Sequence, residues 1–320
     1  MKELIFKNRD RQCLDEVLKG IMAAQPGKFR RIENEFSFIL TKSLIRDEKV
    51  QVIVNGGGGR GPFFEGLVGE GMADAMVSGD FNCAPNAYMI YQTAKEINRG
   101  RGVLLLTNNF MGDYLNNDMA QELLEAEGIS SRVCYASDDV YSARGESKEC
   151  RGGLCGIGLM MKTASAAAET GASLEEVYRI TEKANKRIRS LTILYNNEKD
   201  RIEFGNGFSG EKAAEYMEHC DADIIAEKAV EVLLKELGKY RGDRIHVMVN
   251  RMLYMSYAEG YIMLNAFRKA LEKQECRVGI CTAGNYFDVY DASGCVVSLM
   301  VSDDELEQYM KYVNGFDFAM

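Results

Sequence analysis

The chain has 320 residues, of which 46% are hydrophobic and 27% charged, and its net charge is −9. These values are typical of a soluble globular protein with enough chain for two domains. Its basic runs are short and interrupted, which excludes a nucleic-acid surface, and no apolar stretch is long enough to span a bilayer. We therefore expect a cytoplasmic protein with neither a nucleic acid nor a membrane as partner.

Cysteine and histidine usage limits the chemistry further. The cysteines are odd in number and form no C-x-x-C pair, so we expect neither a disulfide framework nor a metal site. His219 and His246 are the only histidines, which is too few for a scheme that needs several imidazoles. The cysteines with apolar neighbours, expected to be buried and reduced, are Cys13, Cys134, Cys155, Cys281 and Cys295.

The first part of the chain leads to a glycine-rich stretch. Helical spacing predicts a helix over residues 14–24, and a strand is expected over 37–40. The apolar run 52–54 predicts a buried strand, and four consecutive glycines follow it at 56–59. Glycine backbone can approach a ligand closely and offer free N–H groups, so this stretch is either a ligand loop or a flexible turn. A further helix is predicted over 66–77.

The next block alternates strand, loop and helix. We predict a buried strand over 103–106, a loop over 107–113, an amphipathic helix over 114–127 and a second strand over 131–136. This alternation is typical of a mainly parallel sheet covered by helices. Ligands bind beyond the carboxyl ends of such strands, where both the glycine run and the 107–113 loop lie.

The second half of the chain is predicted to form a second α/β unit. A small-residue interior helix over 154–171 and a charged helix over 173–189, capped by Ser173, precede a polar, glycine-containing bridge at 196–210. We therefore place one domain at 1–195 and the other at 196–320, each a sheet flanked by helices. The elements predicted for the second domain are helices at 224–237 and 259–273, strands at 245–249, 277–281, 287–290 and 296–301, and a closing helix capped at Asp303.

Asp113 is the strongest candidate for a reactive carboxylate. It follows Gly112 in a loop at the end of a buried strand, where it could act as a general base toward a hydroxyl group. The alternative is an N-cap for the helix predicted to begin at residue 114. Asp138 and Asp139 form a weaker pair, which we interpret as part of a solvated loop.

A second glycine-rich loop, residues 203–212, contains Ser209. Its hydroxyl could bind a polyol or could cap the helix that follows. His219 could reach this loop only if the chain folds back, and otherwise it is a surface helical residue; His246, in an apolar strand, is interpreted as structural. The glycine run has no Walker A lysine and fits the dinucleotide-binding fingerprint poorly, so we do not expect a nucleotide on this chain.

Several motifs, taken in order, resemble the dihydroxyacetone kinase (glycerone kinase) substrate-binding subunit family, DhaK. They are GGGGRGPF, GVLLLTNNFMGDYLN, SDDV, CRGG before an alanine-rich helix, EFGNGFSGE and DASGCVVSL with VSDDE, and they cover nearly the whole chain. The resemblance implies two α/β domains in a homodimer, dihydroxyacetone held as a hemiaminal on a histidine, and phosphate supplied by ATP or ADP on a separate helical subunit. On this basis the chain itself holds no cofactor.

At the positions that match the family's motifs, this chain keeps some of the motif residues and replaces others. The family's GGGSGHEP motif places its histidine on Gly61, and its G-x-H-G-E motif places the covalent histidine on Ser209. Its KNYTGD motif keeps the aspartate at Asp113 but places the lysine on Asn108. The substrate-binding positions implied by the resemblance are Gly57, Gly58, Gly59, Arg60, Gly61, Asn108, Asp113 and Ser209.

These replacements lead to two competing functions. A serine hydroxyl would give only a labile hemiketal, so we expect covalent capture to be lost and phosphorylation to be weak unless Arg60 supplies a charge. The chain would then be a kinase-type subunit that binds a small hydroxy-carbonyl compound or polyol, with Asp113 as base. The alternatives are a non-catalytic ligand sensor or co-regulator that binds a regulatory protein, and a structural partner of an active paralogue.

Overall fold

The computed structural model describes residues 8, 13–32, 39–42, 45–58, 64–81, 83–143, 147, 150–208, 210–238, 244–288, 292–312 and 315. The helices are α1 (Cys13–Ala24), α2 (Ala87–Ile97), α3 (Met111–Ala126), α4 (Ile157–Glu169), α5 (Leu174–Lys186), α6 (Ala222–Glu236), α7 (Tyr257–Lys273) and α8 (Asp304–Met310). The strands are β1 (Phe29–Arg30), β2 (Ile39–Lys42), β3 (Gln51–Gly58), β4 (Ala75–Phe81), β5 (Val103–Asn108), β6 (Ser131–Ala136), β7 (Ile188–Asn196), β8 (Arg201–Phe204), β9 (Glu215–Glu218), β10 (Arg244–Arg251), β11 (Arg277–Gly284) and β12 (Gly294–Ser302).

The first sheet is mainly parallel, as its alternating sequence predicts. Its strand order is β1-β2-β4-β3-β5-β6, and strands β4, β3, β5 and β6 run parallel. The strands β3 and β5 read as continuous apolar runs because both faces of this sheet are covered. Helices α2 and α3 pack on one face, and α4 and α5 lie against the other. The carboxyl ends of β3 and β5 therefore meet at one edge of the sheet.

The second sheet is mostly antiparallel, which the sequence did not predict. Its order is β11-β10-β12-β7-β8-β9, and only the β10–β11 pair is parallel. Helices α6 and α7 cover one face. The other face joins a core that also contains the first sheet, and α4 lies inside it with every residue from Ile157 to Ala168 buried. The prediction of an interior helix there is confirmed.

Two predicted elements differ from the structure. The helix predicted over 66–77 is a short 3-10 turn, Phe64–Leu67, followed by strand β4, because this stretch turns through Gly71 at a φ of 67°. The bridge predicted over 196–210 is instead a hairpin of the second sheet, in which β7 pairs with β8. The chain thus enters the second sheet before residue 196. Of the strand predicted over 287–290, residues 289 and 290 lie outside the described part of the chain.

Within the described residues, no helix has the length and apolar character needed to cross a membrane.

Candidate functional site

The glycine run begins as the end of strand β3. Gly56, Gly57 and Gly58 belong to that strand, so this part of the run is not a flexible turn. Gly58 lies against β4, where a Cβ atom would stand 2.9 Å from the carbonyl oxygen of Gly79. Only glycine fits this close approach of two backbones. The predicted ligand positions Gly59, Arg60 and Gly61 lie outside the described residues.

Asp113 lies inside α3 and does not cap it. The helix begins at Met111 with Phe110 at the N-cap, so the predicted alternative of an Asp113 N-cap is wrong. The side chain is 5% exposed, and its Oδ1 atom has no hydrogen-bond partner in the described structure. Burial raises the pKa of Asp113 to about 7. A carboxyl group with this pKa can take up or release a proton near neutral pH.

A pair of buried amides fixes the position of Asp113. Asn55 of β3 and Asn117 of α3 exchange two side-chain hydrogen bonds of 2.9 and 2.8 Å. The second amide hydrogen of Asn117 is donated to the backbone carbonyl of Asp113 at 2.8 Å. Both amides are fully buried, where unpaired polar groups would be costly. The first turn of α3 is therefore tied directly to the strand that ends in the glycine run.

Asn108, the last residue of β5, lies on the same edge of the sheet. It is 3% exposed, and its Oδ1 atom also has no partner among the described residues. Gly153 makes room for this side chain, since a Cβ atom there would stand 2.3 Å from Asn108 Oδ1. The adjacent Asn109 donates to the carbonyl of Arg151 at 2.9 Å. The 150–156 loop thus packs over the end of β5.

Asp138 and Asp139 are buried, so their interpretation as a solvated loop is wrong. Asp138 accepts hydrogen bonds from the backbone N–H groups of Leu154 and Gly156, each at 2.9 Å, while burial raises its pKa. Asp139 is 4% exposed. Burial raises the pKa of Asp139 to about 7, aided by the charges of Asp138 and Glu211 and opposed by the N–H of Tyr141. The sequence feature that could have indicated this burial is the position of the two acids directly after the parallel strand β6.

The second glycine-rich loop approaches this edge of the first sheet. Gly205 has a φ of 77°, and a Cβ atom there would stand 2.7 Å from the ring of Tyr141, which follows the buried acids. Asn206 is nearly buried, donates to Glu203 at 3.1 Å and has no partner for its Oδ1 atom in the described structure. The second glycine-rich loop thus contacts the segment that follows β6 at this edge. Ser209 itself lies outside the described residues.

The two histidines take no part in this edge. His219 follows β9, not a helix; its ring stacks on Tyr195 and its Nδ1 atom lies 3.3 Å from Asp200. The structural interpretation of His246 is supported: its Nδ1 atom accepts the N–H of Ile280 at 2.9 Å, so its Nε2–H donates to Glu307 at 2.7 Å.

Cysteine, histidine and acidic side chains are the groups that could hold a metal ion. Among the expected buried thiols, Cys134, Cys155 and Cys295 are buried, while Cys13 and Cys281 are half-buried. No group of three or more potential metal ligands occurs within the described ranges.

Residues 19–315 match the family described as the Dak1 domain. The chain belongs to this family. It is 29% identical to the dihydroxyacetone-binding subunit DhaK of PTS-dependent dihydroxyacetone kinase 2 from Listeria innocua, over 97% of this chain and 96% of that protein. It is 30% identical to the L-erythrulose kinase of Pectobacterium atrosepticum, over 92% of this chain, and spans about half (52%) of that longer protein.

The fold agrees with these relatives. The dihydroxyacetone kinase of C. freundii superposes with a TM-score of 0.89 and 23% identity, covering 98% of this chain and 59% of that one. The DhaK resemblance and the fold of two α/β units with helix-flanked sheets are both confirmed.

Proposed function

We propose that this Dak1-domain chain is a DhaK-type subunit that binds a short-chain hydroxy ketone without covalent attachment, at the edge where β3, β5 and the second glycine-rich loop meet. The observation that carries the proposal is Asp113, a buried carboxyl with a pKa of about 7 and an Oδ1 atom without a partner in the described structure. A buried polar atom left unpaired normally has a ligand or water as its partner. Asn108 offers a second such oxygen at the end of β5.

The ligand class follows from these acceptors. Asp113 in its charged form and Asn108 accept hydrogen bonds, so they suit the hydroxyl groups of a small ketose. The names of two relatives support a size range for the proposed ligand, since one is a dihydroxyacetone-binding subunit and the other an L-erythrulose kinase. We therefore place ketones of three or four carbons first among the ligands.

In the catalytic version, Asp113 is the general base. Its carboxylate takes the proton of a ligand hydroxyl as that oxygen attacks the γ-phosphorus of ATP, and ADP leaves with the electrons of the broken P–O bond. The nucleotide is held on a separate helical subunit, and this chain holds no cofactor of its own. We expect the chain to act as a homodimer.

Covalent capture of the ligand is lost in this proposal. Ser209 stands where the family's histidine would be, and its hydroxyl would give a hemiketal that reverses readily. Intact-mass measurement after incubation with dihydroxyacetone is therefore expected to show no adduct. A Ser209→His variant supplies the comparison in which an adduct would be recognised, and a stable adduct on the unaltered chain would contradict non-covalent binding.

A second function is a ligand sensor or co-regulator. Asn108 favours it, because it stands where the DhaK motif has a lysine and leaves no positive charge there to assist phosphoryl transfer. In this version the ligand still binds at Asp113, and the bound form is recognised by a regulatory protein.

One assay separates the two functions. The purified chain is combined with ATP, a helical nucleotide-binding subunit and dihydroxyacetone or D- or L-erythrulose, and both phosphate transfer and thermal stabilisation are measured. Turnover that Asp113→Asn abolishes supports the kinase function. Stabilisation by a ketose without turnover supports the sensor. Absence of both with every ketose would overturn the proposed ligand site.

A further inference from the structure

One side of α3 carries apolar side chains that contact solvent. Met111, Leu115, Met119 and Leu123 are spaced four residues apart and are between 38% and 73% exposed. At this spacing each side chain is rotated by only about 40° from the previous one, so the four form one continuous stripe about 18 Å long. Tyr88 of the adjacent α2 is also 51% exposed. We call these five residues the α3 stripe.

Acidic residues border the α3 stripe. Asp118, Glu122 and Glu125 are exposed on the same helix, and the sequence of α3 contains no lysine or arginine. In the described structure none of these three carboxylates forms an ion pair, whereas Glu127 just beyond the helix is paired with Lys95. This border therefore keeps its full negative charge available for an approaching partner.

The α3 stripe begins in the helical turn that contains Asp113. Met111 is the first residue of α3 and stands two positions before Asp113. The same turn of the helix is fixed to β3 through Asn117. A protein seated on the N-terminal half of α3 therefore lies at the entrance to the carboxyl end of the first sheet, where the proposed ligand binds.

The apolar stripe and its acidic border distinguish between two possible binding partners, a second copy of this chain and a different protein. An apolar stripe of this size on a charged protein is typical of a protein-binding surface. A second copy of the chain would place one acidic border opposite another, because both copies carry the same carboxylates, and their repulsion opposes that pairing. An apolar helix bordered by lysine or arginine matches both the stripe and its charge.

We propose that the α3 stripe is the docking face for the nucleotide-bearing partner subunit, which contacts it with an apolar helix bordered by lysine or arginine. The inference rests on the proposed function, since it assigns the place where the partner required for phosphoryl transfer binds. The apolar residues hold the partner, and the acidic border steers and orients it.

Binding of a purified helical nucleotide-binding subunit, measured by titration calorimetry, tests the proposal. The double substitution Leu115→Asp with Met119→Asp is expected to weaken binding at least about tenfold. Ile262→Asp is the matched control, because Ile262 is 56% exposed on α7 and lies outside the stripe. Both variants change exposed side chains, and their melting temperatures verify that they fold.

The charge of the border is tested separately. Glu122→Lys is expected to weaken binding several-fold at low salt and to reduce the dependence of affinity on salt. Glu231→Lys makes the same charge change at an exposed position of α6. It is expected to leave the affinity for the partner and its dependence on salt unchanged.

Three results would overturn the proposal. The first is no binding of the partner to the unaltered chain, and the second is equal binding by the α3 variants. The third is a change from dimer to monomer in the Leu115→Asp, Met119→Asp variant by sedimentation, which would make the stripe a contact between copies. Ketose-induced stabilisation, measured on the same samples, shows whether the ligand site itself is intact, so a failure of docking is distinguished from a failure of the proposed function.

Discussion

Asp113 is a buried carboxyl group whose Oδ1 atom has no hydrogen-bond partner among the described residues. Its charged form loses hydration on folding and gains no ion pair among the described residues, and burial raises its pKa to about 7. Such an arrangement lowers stability, and carboxyl groups with strongly raised pKa values cluster at functional sites. At this scale the sequence singled out a residue that the structure buries, but could not distinguish a base from a helix cap, because that depends on where α3 begins.

We predict that Asp113→Asn raises stability in a pH-dependent way. In the unfolded chain an aspartate ionises near pH 4, whereas in the folded chain Asp113 does so at about pH 7. The folded state is therefore favoured with the proton bound, and this contribution is lost as the pH rises from about 4 through about 7. The amide is never charged, so the advantage of the variant in free energy of unfolding grows over that range, by at most about 4 kcal/mol.

Urea denaturation of both proteins across that pH range measures the difference. Met119→Leu, at an exposed position of the same helix, is the control and should show no such trend, because neither side chain titrates. A constant difference between Asp113→Asn and the unaltered chain at all pH values would contradict the raised pKa.

The elements around the site were predictable to different degrees. Strands β3 and β5 and helix α4 were recognised because short apolar runs and small-residue composition are local properties. The burial of Asp138 and Asp139 was not predictable, because it depends on groups distant in sequence. Asp138 packs against Leu154 and Gly156. Asp139 is bridged by Ser190 of β7, some fifty residues onward. Pairing with a strand so distant in sequence leaves no periodic signal.

The contact between α3 and β3 gives a prediction at the element scale. Asn117→Ala removes both hydrogen bonds of the buried amide pair and leaves Asn55 unsatisfied, which is expected to cost about 1–3 kcal/mol of stability. It also frees the first turn of α3, so ketose affinity should fall although neither amide touches the ligand.

A double-mutant cycle with Asn55→Ala measures this coupling. Once Asn117 is gone, removal of Asn55 should cost much less than it does in the unaltered chain, because the amide has already lost its partner. Additive changes in unfolding free energy would show that the two amides do not act as a pair.

The site as a whole depends on how the two sheets meet. One core cluster contains residues of both, including Val54 and Leu106 from the first sheet and Met248 and Val296 from the second. The edge of the first sheet at which we propose the ligand therefore belongs to the same packed core as the second sheet, since β7 enters the second sheet directly after α5. This explains why the bridge predicted over 196–210 is absent: that segment is part of a sheet that the core already holds.

Gly205 tests this arrangement. It has a φ of 77°, and an added Cβ atom would stand 2.7 Å from three atoms of the Tyr141 side chain. Gly205→Ala is therefore expected to move the second glycine-rich loop away from the buried acids and to weaken ketose binding at least about tenfold, in addition to the strain of an alanine at positive φ.

Gly100→Ala separates the two effects. Gly100 has a similar φ of 83°, but an added Cβ atom there meets nothing within 4 Å, so this variant carries the backbone strain without a clash. Both variants should lose stability in denaturant titrations, since both force alanine into the left-handed region. Only Gly205→Ala should also lose ketose-induced thermal stabilisation, because Gly205 packs against Tyr141 next to the buried acids, whereas an added Cβ atom at Gly100 would contact no described group. Equal ketose binding by the two variants would mean that the second loop contributes nothing to the site, and that the ligand is held by the first sheet alone.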